Sequence, residues 1–157
     1  MSALDVIAIA AFASSLIALP FSFYTFRKRP IRSLLVFATP LLIFFGACDL
    51  SQTIAQAQIL VDLDRLADDC QISVNGKPSS NPREALSALK TLRWLPKHHS
   101  DPTERLRVDV SDHSTQVVLL VARDSRDPRE YWVFYPKFFI TTHNDVGRIV
   151  TSAFDGY

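Results

Sequence analysis

The chain has 157 residues, 48% of them hydrophobic, with a formal net charge of +1, four glycines, four histidines and two cysteines. That length allows one ordinary domain plus accessory segments. The balance of charge argues against a nucleic-acid partner, two cysteines cannot build a disulfide framework, and so few glycines leave no room for a Gly-rich phosphate loop.

The charge is unevenly placed. Residues 27–32 hold four of the 17 basic residues, Arg27, Lys28, Arg29 and Arg32, and no acid. The stretch 49–157 carries 13 basic and 15 acidic residues. On either side of the basic cluster the chain is apolar. Leu4 to Phe26 predicts a helix about 34 Å long, enough to cross the hydrocarbon core of a bilayer. Ala8, Ala11, Ser15 and Ala18, and in parallel Ala10 and Ser14, are small residues at helical spacing. Such spacing allows close helix approach and makes a homo-oligomer through the first span an expectation. The second stretch, about 33–48, is shorter and interrupted by Pro40. It reads as a second span, with a lipidation alternative: Phe45-Gly46-Ala47-Cys48 resembles a lipobox, which would modify Cys48. By the positive-inside bias, the loop 27–32 lies in the cytoplasm. The N-terminus and everything beyond Cys48 are then expected outside, which predicts an inner (plasma) membrane protein with a periplasmic or extracellular domain.

Residues 49–69 read as a stalk helix that continues out of the second span, with Leu50, Ile54 and Val61 on its apolar stripe, widened by Leu60, Leu63 and Leu66. The acids Asp62, Asp64, Asp68 and Asp69 oppose the helix dipole and predict an end near Asp68. At Cys70-Gln71-Ile72-Ser73-Val74 the period becomes two, and Asn75-Gly76-Lys77-Pro78 closes that strand. Asn81-Pro82-Arg83-Glu84 predicts a capped helix start, with Ala85, Leu86, Leu89 and Leu92 buried and Pro96 at the end. Four strands follow: a half-exposed one around Leu106, Val108 and Val110; an apolar, central one from Gln116 to Ala122; Tyr131 to Ile140; and Val146 to Phe154. The expected fold class is a membrane-anchored α+β protein with two N-terminal transmembrane helices and a stalk helix. After them comes a mainly antiparallel sheet in the order β-α-β-β-β-β over 70–157, with one helix packed on it.

No catalytic or cofactor motif stands out, and no cofactor or metal is expected. The histidines His98, His99, His113 and His143 fall in predicted loops, and their spacing lacks the regularity of a zinc motif. His99-Ser100-Asp101 contains the three residue types of a hydrolytic triad, but contiguous residues do not converge on one point. The acidic cluster at 62–69 lacks the glycine and terminal glutamate of a calcium loop. The strongest functional candidate is the aromatic run Tyr131, Trp132, Phe134, Tyr135, Phe138 and Phe139. A strand buries one such face under a helix, and the other needs a cover: the stalk, the bilayer or a partner. Arg123, Arg126 and Arg129 flank it but alternate with Asp124, Asp127 and Glu130.

The sequence therefore predicts a non-enzymatic interaction or sensing protein in contact with membrane lipid and an envelope protein partner. Two alternatives differ in class. One is an immunity or exclusion protein against an incoming toxin or phage factor. The other is a periplasmic serine or metal-dependent hydrolase built on His99, Asp101 and His143.

Overall fold

A computed structural model describes residues 2–27, 30–67, 69–94, 99–113, 115–138 and 145–157. Among these, the chain is α+β, with three helices and a six-stranded antiparallel sheet. It divides into a helical unit, residues 2–52 with Lys137 and Phe138, and a sheet unit, residues 53–136 and 145–157.

In the helical unit, α1 spans Ala3–Phe26 and α2 begins at Pro30. The start of α1 is set by a capping box. The Ser2 hydroxyl accepts from the Asp5 amide (3.2 Å) and the Asp5 carboxylate accepts from the Ser2 amide (2.6 Å), which satisfies two otherwise orphaned N–H groups. Both helices are long and apolar enough, by length and composition, to cross a membrane. The small residues lie inward: Ala8, Ala11, Ser15 and Ser22 of α1 and Ser33, Ala47 and Cys48 of α2 are buried. The stripe expected to serve a homo-oligomer is thus largely buried within one chain, although Ala10 and Ser14 remain exposed. Where the helices turn, the Ser22 hydroxyl donates to the Ser33 carbonyl (3.0 Å), and Thr25 and Ser33 share a hydroxyl contact of 2.7 Å.

The second helix does not stop where the apolar segment ends. α2 runs unbroken over Pro30–Asp64, 35 residues and about 52 Å. The stalk expected to continue out of the second span is the later part of this same helix, which ends four residues before the expected Asp68. Of the expected stripe, Leu63 and Leu66 are buried, but its leading residues are not. Ala55, Ile59 and Leu63 are fully buried, whereas Leu50, Ile54 and Val61 are exposed.

The sheet order is β2-β1-β3-β4-β5-β6, with β1 Gln71–Val74, β2 Lys77–Pro78, β3 Pro102–Ser111, β4 Gln116–Asp124, β5 Glu130–Phe134 and β6 Gly147–Val150. The extra strand β2 arises from Asn75-Gly76. With φ of +51° and +78° they form a two-residue hairpin turn instead of ending the strand in a loop. The central position of β4 matches expectation. β5 ends at Phe134 rather than continuing past Pro136, and β6 ends at Val150, followed by turns. α3, Pro82–Lys90, buries Ala85, Leu86 and Leu89. Its Asn81 does not cap through a side-chain-to-backbone bond; its amide instead donates to the Glu84 carboxylate at 2.6 Å.

Register sorts the sheet side chains onto two faces. The inner face carries Ile72, Val74, Val108, Val110, Val117, Leu119, Val121, Val133 and Ile149, all buried. α3 contacts both β1 and β6, which lie four strands apart, so the sheet coils around that helix. The C-terminal turn helps close the gap: Tyr157 donates its hydroxyl to the Pro78 carbonyl (3.4 Å) and accepts from the Ser80 amide (3.1 Å). Beyond β6, Arg93 exchanges two backbone hydrogen bonds with Arg148. That approach requires Gly147: a Cβ there would stand 2.9 Å from the Arg93 carbonyl oxygen, at a φ of +153° that L side chains rarely adopt.

Candidate functional site

The aromatic strand sits at the centre of the chemistry, but as a buried element. Tyr131, Trp132, Phe134 and Tyr135 are all 6% exposed or less, Phe138 is half-buried, and Phe139 lies outside the described residues. These side chains do not form an exposed strip, because both faces of β5 are already covered.

Each ring of the strand proper carries an arginine. The Arg123 guanidinium stands 5.5 Å from the Tyr131 ring centroid, Arg148 lies 3.8 Å over Trp132, and Arg105 4.2 Å over Phe134. Register explains this. Arg105, Ala122, Trp132, Arg148 and Arg93 form one cross-strand row on the outer face, where Ala122 leaves space for the larger neighbours. Planar guanidinium groups lose little hydration when laid on aromatic faces, so arginine covers the rings that no apolar layer reaches.

Two polar knots fix the row. Arg148, 1% exposed, donates to the buried Glu130 carboxylate, so the charge is neutralised locally. Its Nε and Nη2 have no hydrogen-bond partner among the described residues. Asp124, at the end of β4, accepts from Ser100 Oγ (2.6 Å), Trp132 Nε1 (2.8 Å) and the backbone amides of Arg126 (2.8 Å) and Asp127 (3.0 Å). Burial opposes its ionisation, but these four donors outweigh that and lower its pKa to about 2. On the inner face, Tyr131 donates to Asp155 (2.7 Å) and accepts from Arg123 (2.8 Å), while Arg123 also pairs with Asp155. Burial, then the Asp155 carboxylate, push the Tyr131 phenol up to about 12. Tyr135 donates to Asp62 of α2 at 3.2 Å.

This geometry bears on the hydrolase alternative. Ser100 gives its proton to a strongly acidic carboxylate, which is a poor general base, and Asp101 engages Ser125 through its backbone. His143 and His98 lie outside the described residues. Among the described residues no group of three or more His, Cys, Asp or Glu side chains could hold a metal ion. A cavity of about 520 Å³ beside β1 is lined by Asp69, Cys70, Ser73, Ser79, Asp109 and Ser111, not by His99, Ser100 or Asp101.

The remaining expected residues are placed as follows. Arg27 caps α1 and Arg32 lies in the first turn of α2, both exposed; Lys28 and Arg29 lie outside the described residues. Cys48 is buried in a cluster with Ala8, Ala47 and Phe44, Cys70 is buried in the sheet unit, and neither is in a disulfide. Of Arg105, Glu130 and Arg148, which organise the outer face, the sequence pointed only to Glu130, and that as a neutralising neighbour of the flanking arginines. The available signal was Arg148 itself, a lone charge inside Val146-Gly147-Arg148-Ile149-Val150. No protein-family model, no curated protein and no solved structure matches the chain.

Proposed function

We propose that this chain is a membrane-anchored interaction or sensing protein that presents its sheet unit to an envelope protein partner, on the side of the membrane opposite the basic loop. The supporting observation is the burial pattern of α2. Its first half turns large apolar residues outward, as a lipid-facing helix does, and its second half buries Ala55, Ile59 and Leu63 in the sheet unit. One helix thus belongs to both the anchor and the exported core. The aromatic strand is occupied with folding, so the contact surface is assigned to apolar side chains left in the open: Val61 on α2, 48% exposed, and Trp94, 57% exposed. Isolated exposed tryptophan is costly in water and favours contact with a protein surface.

Two measurements test this reading. A reporter fused after Tyr157 should be active only outside the cytoplasm; cytoplasmic activity overturns the orientation. A photo-crosslinking residue at position 61 or 94, in intact cells, should yield the same discrete protein adduct from both positions. Adducts to lipid alone, or none, would remove the partner.

A further inference from the structure

The helical unit has a groove that the interaction reading leaves unused. It lies between α1 and α2 near their connection, encloses about 270 Å³, and is lined by Leu19, Phe23, Phe26, Leu34 and Phe37 together with Ser22 and Ser33. The two serines do not make it polar. Ser22 is spent on the Ser33 carbonyl and the Ser33 hydroxyl on Thr25, so the groove offers hydrocarbon and aromatic edges only. Leu34, Phe23 and Phe26 are each more than half exposed, so no part of this unit covers it.

Two cations adjoin the lining residues in sequence. Arg27 directly follows the lining residue Phe26, and Arg32 directly precedes the lining residue Ser33. Both are exposed, and among the described residues neither is in an ion pair; the only acid in the sequence before Asp49 is Asp5, at the far end of α1. An apolar slot whose lining is flanked in sequence by two exposed arginines is complementary to one kind of occupant: an acyl chain covalently joined to an anionic headgroup. A protein helix would fill the slot but leave the arginines uncompensated, and a zwitterionic lipid would bring its own ammonium to them.

We infer that this groove binds an anionic phospholipid, with one acyl chain between Phe23, Phe26, Leu34 and Phe37 and the headgroup phosphate at Arg27 and Arg32. The inference rests on the membrane reading of the hairpin, and its test separates the two. The full chain is reconstituted into vesicles of dioleoylphosphatidylcholine containing dioleoylphosphatidylglycerol, and lipid retained after release into detergent is counted by native mass spectrometry. Phosphatidylglycerol should be retained in preference to phosphatidylcholine. Arg27→Gln with Arg32→Gln should reduce that preference by about tenfold, since each basic residue near an anionic surface contributes on the order of a fewfold to tenfold. Leu34→Trp, which fills the groove and keeps both arginines, should abolish retention of either lipid. Equal retention of the two lipids by the native chain overturns the inference while leaving the anchor intact. Undiminished phosphatidylglycerol retention in Leu34→Trp also overturns it, because attraction to the charges alone would then suffice. Failure of the chain to enter vesicles of any composition defeats the membrane reading instead.

Discussion

The helical unit and the sheet unit solve opposite packing problems. In the sheet unit the large apolar residues, Leu119, Val121, Val133 and Ile149, are all within 1% of complete burial, and the buried charges Arg148 and Glu130 pair while Asp124 is held by four hydrogen-bond donors. In the helical unit the interior is Ala8, Ala11, Ser15, Ser22 and Ser33, while Ile17 and Phe23 are 76% and 77% exposed. In water such an arrangement would forgo most of the hydrophobic stabilisation available, since each large side chain left outside costs about 1.5–3 kcal/mol relative to burial. In lipid the outside is already apolar, and helix association gains instead from close backbone approach. The contrast teaches that exposure, rather than hydrophobicity alone, distinguishes an anchor from a core.

The largest effect should come from the charge pair that the sheet unit buries. Glu130→Gln leaves the Arg148 guanidinium inside the fold without its counter-ion and should destabilise the domain by about 3–5 kcal/mol. Replacing both, Glu130→Leu with Arg148→Met, should recover most of that loss, because the Trp132 face then packs on a thioether. Denaturant unfolding of the full chain in micelles, followed by tryptophan emission, reads this. A double variant as unstable as the single one would show that Arg148 acts through its ring contact and not through charge.

Next comes a matched pair of truncations, one in each region. Leu119→Ala should cost about 3 kcal/mol through lost burial and an incompletely collapsed cavity. Ile17→Ala should cost the helical unit far less in the same micelles, because its side chain contacts detergent in place of protein. Similar losses at both positions, measured by denaturation and by helical circular dichroism, would mean that the exposed face of α1 is packed on something, and the contrast between the units would fail.

The sheet unit should also carry an acid weakness. Asp124 is held at about 2 against an ordinary value of 3.8, so ionised Asp124 favours the folded state. A lowered carboxylate contributes fully above about pH 4 and loses that contribution as pH falls towards 2; the shift corresponds to about 2 kcal/mol. Asp124→Asn should flatten this part of the stability curve, and unfolding midpoints collected between pH 2 and 6 will show whether it does. An unchanged acid limb in the variant would place the sensitivity on other carboxylates.

These two regions were also unequally legible in the sequence. Long apolar runs and a cluster of four cations announce the hairpin, because lipid enforces composition over many consecutive residues. The faces of α2 were not legible beyond Leu50. Both the row with Leu50, Ile54 and Val61 and the row with Ala55, Ile59 and Leu63 are apolar at helical spacing, and only packing against the sheet unit chooses between them. The sheet class followed from period-two patterning, and β4 read as central because it is apolar on both faces. The aromatic strand was visible as a feature but not in its role. Its cover comes from Arg105, Arg123 and Arg148, which are 29, 8 and 16 residues from their rings in sequence and meet them only through strand register.

The smallest expected effect tests the hairpin turn that creates β2. Gly76 has a φ of +78° and nothing within 4 Å of where a Cβ would stand, so Gly76→Ala meets no steric obstacle beyond its own backbone. The cost is then conformational alone, about 1 kcal/mol for a left-handed alanine. Asn75, at +51°, already tolerates that region because a short polar side chain can bond locally; its Oδ1 accepts from the Arg107 amide at 2.8 Å. Asn75→Ala should therefore cost more than Gly76→Ala, since it adds the loss of that bond to the same strain. Equal losses in the two variants, read from unfolding midpoints, would mean that the Asn75–Arg107 bond contributes nothing. Strand β2 would then be held by its turn and by the Ser79 amide bonded to the Ile72 carbonyl at 2.8 Å.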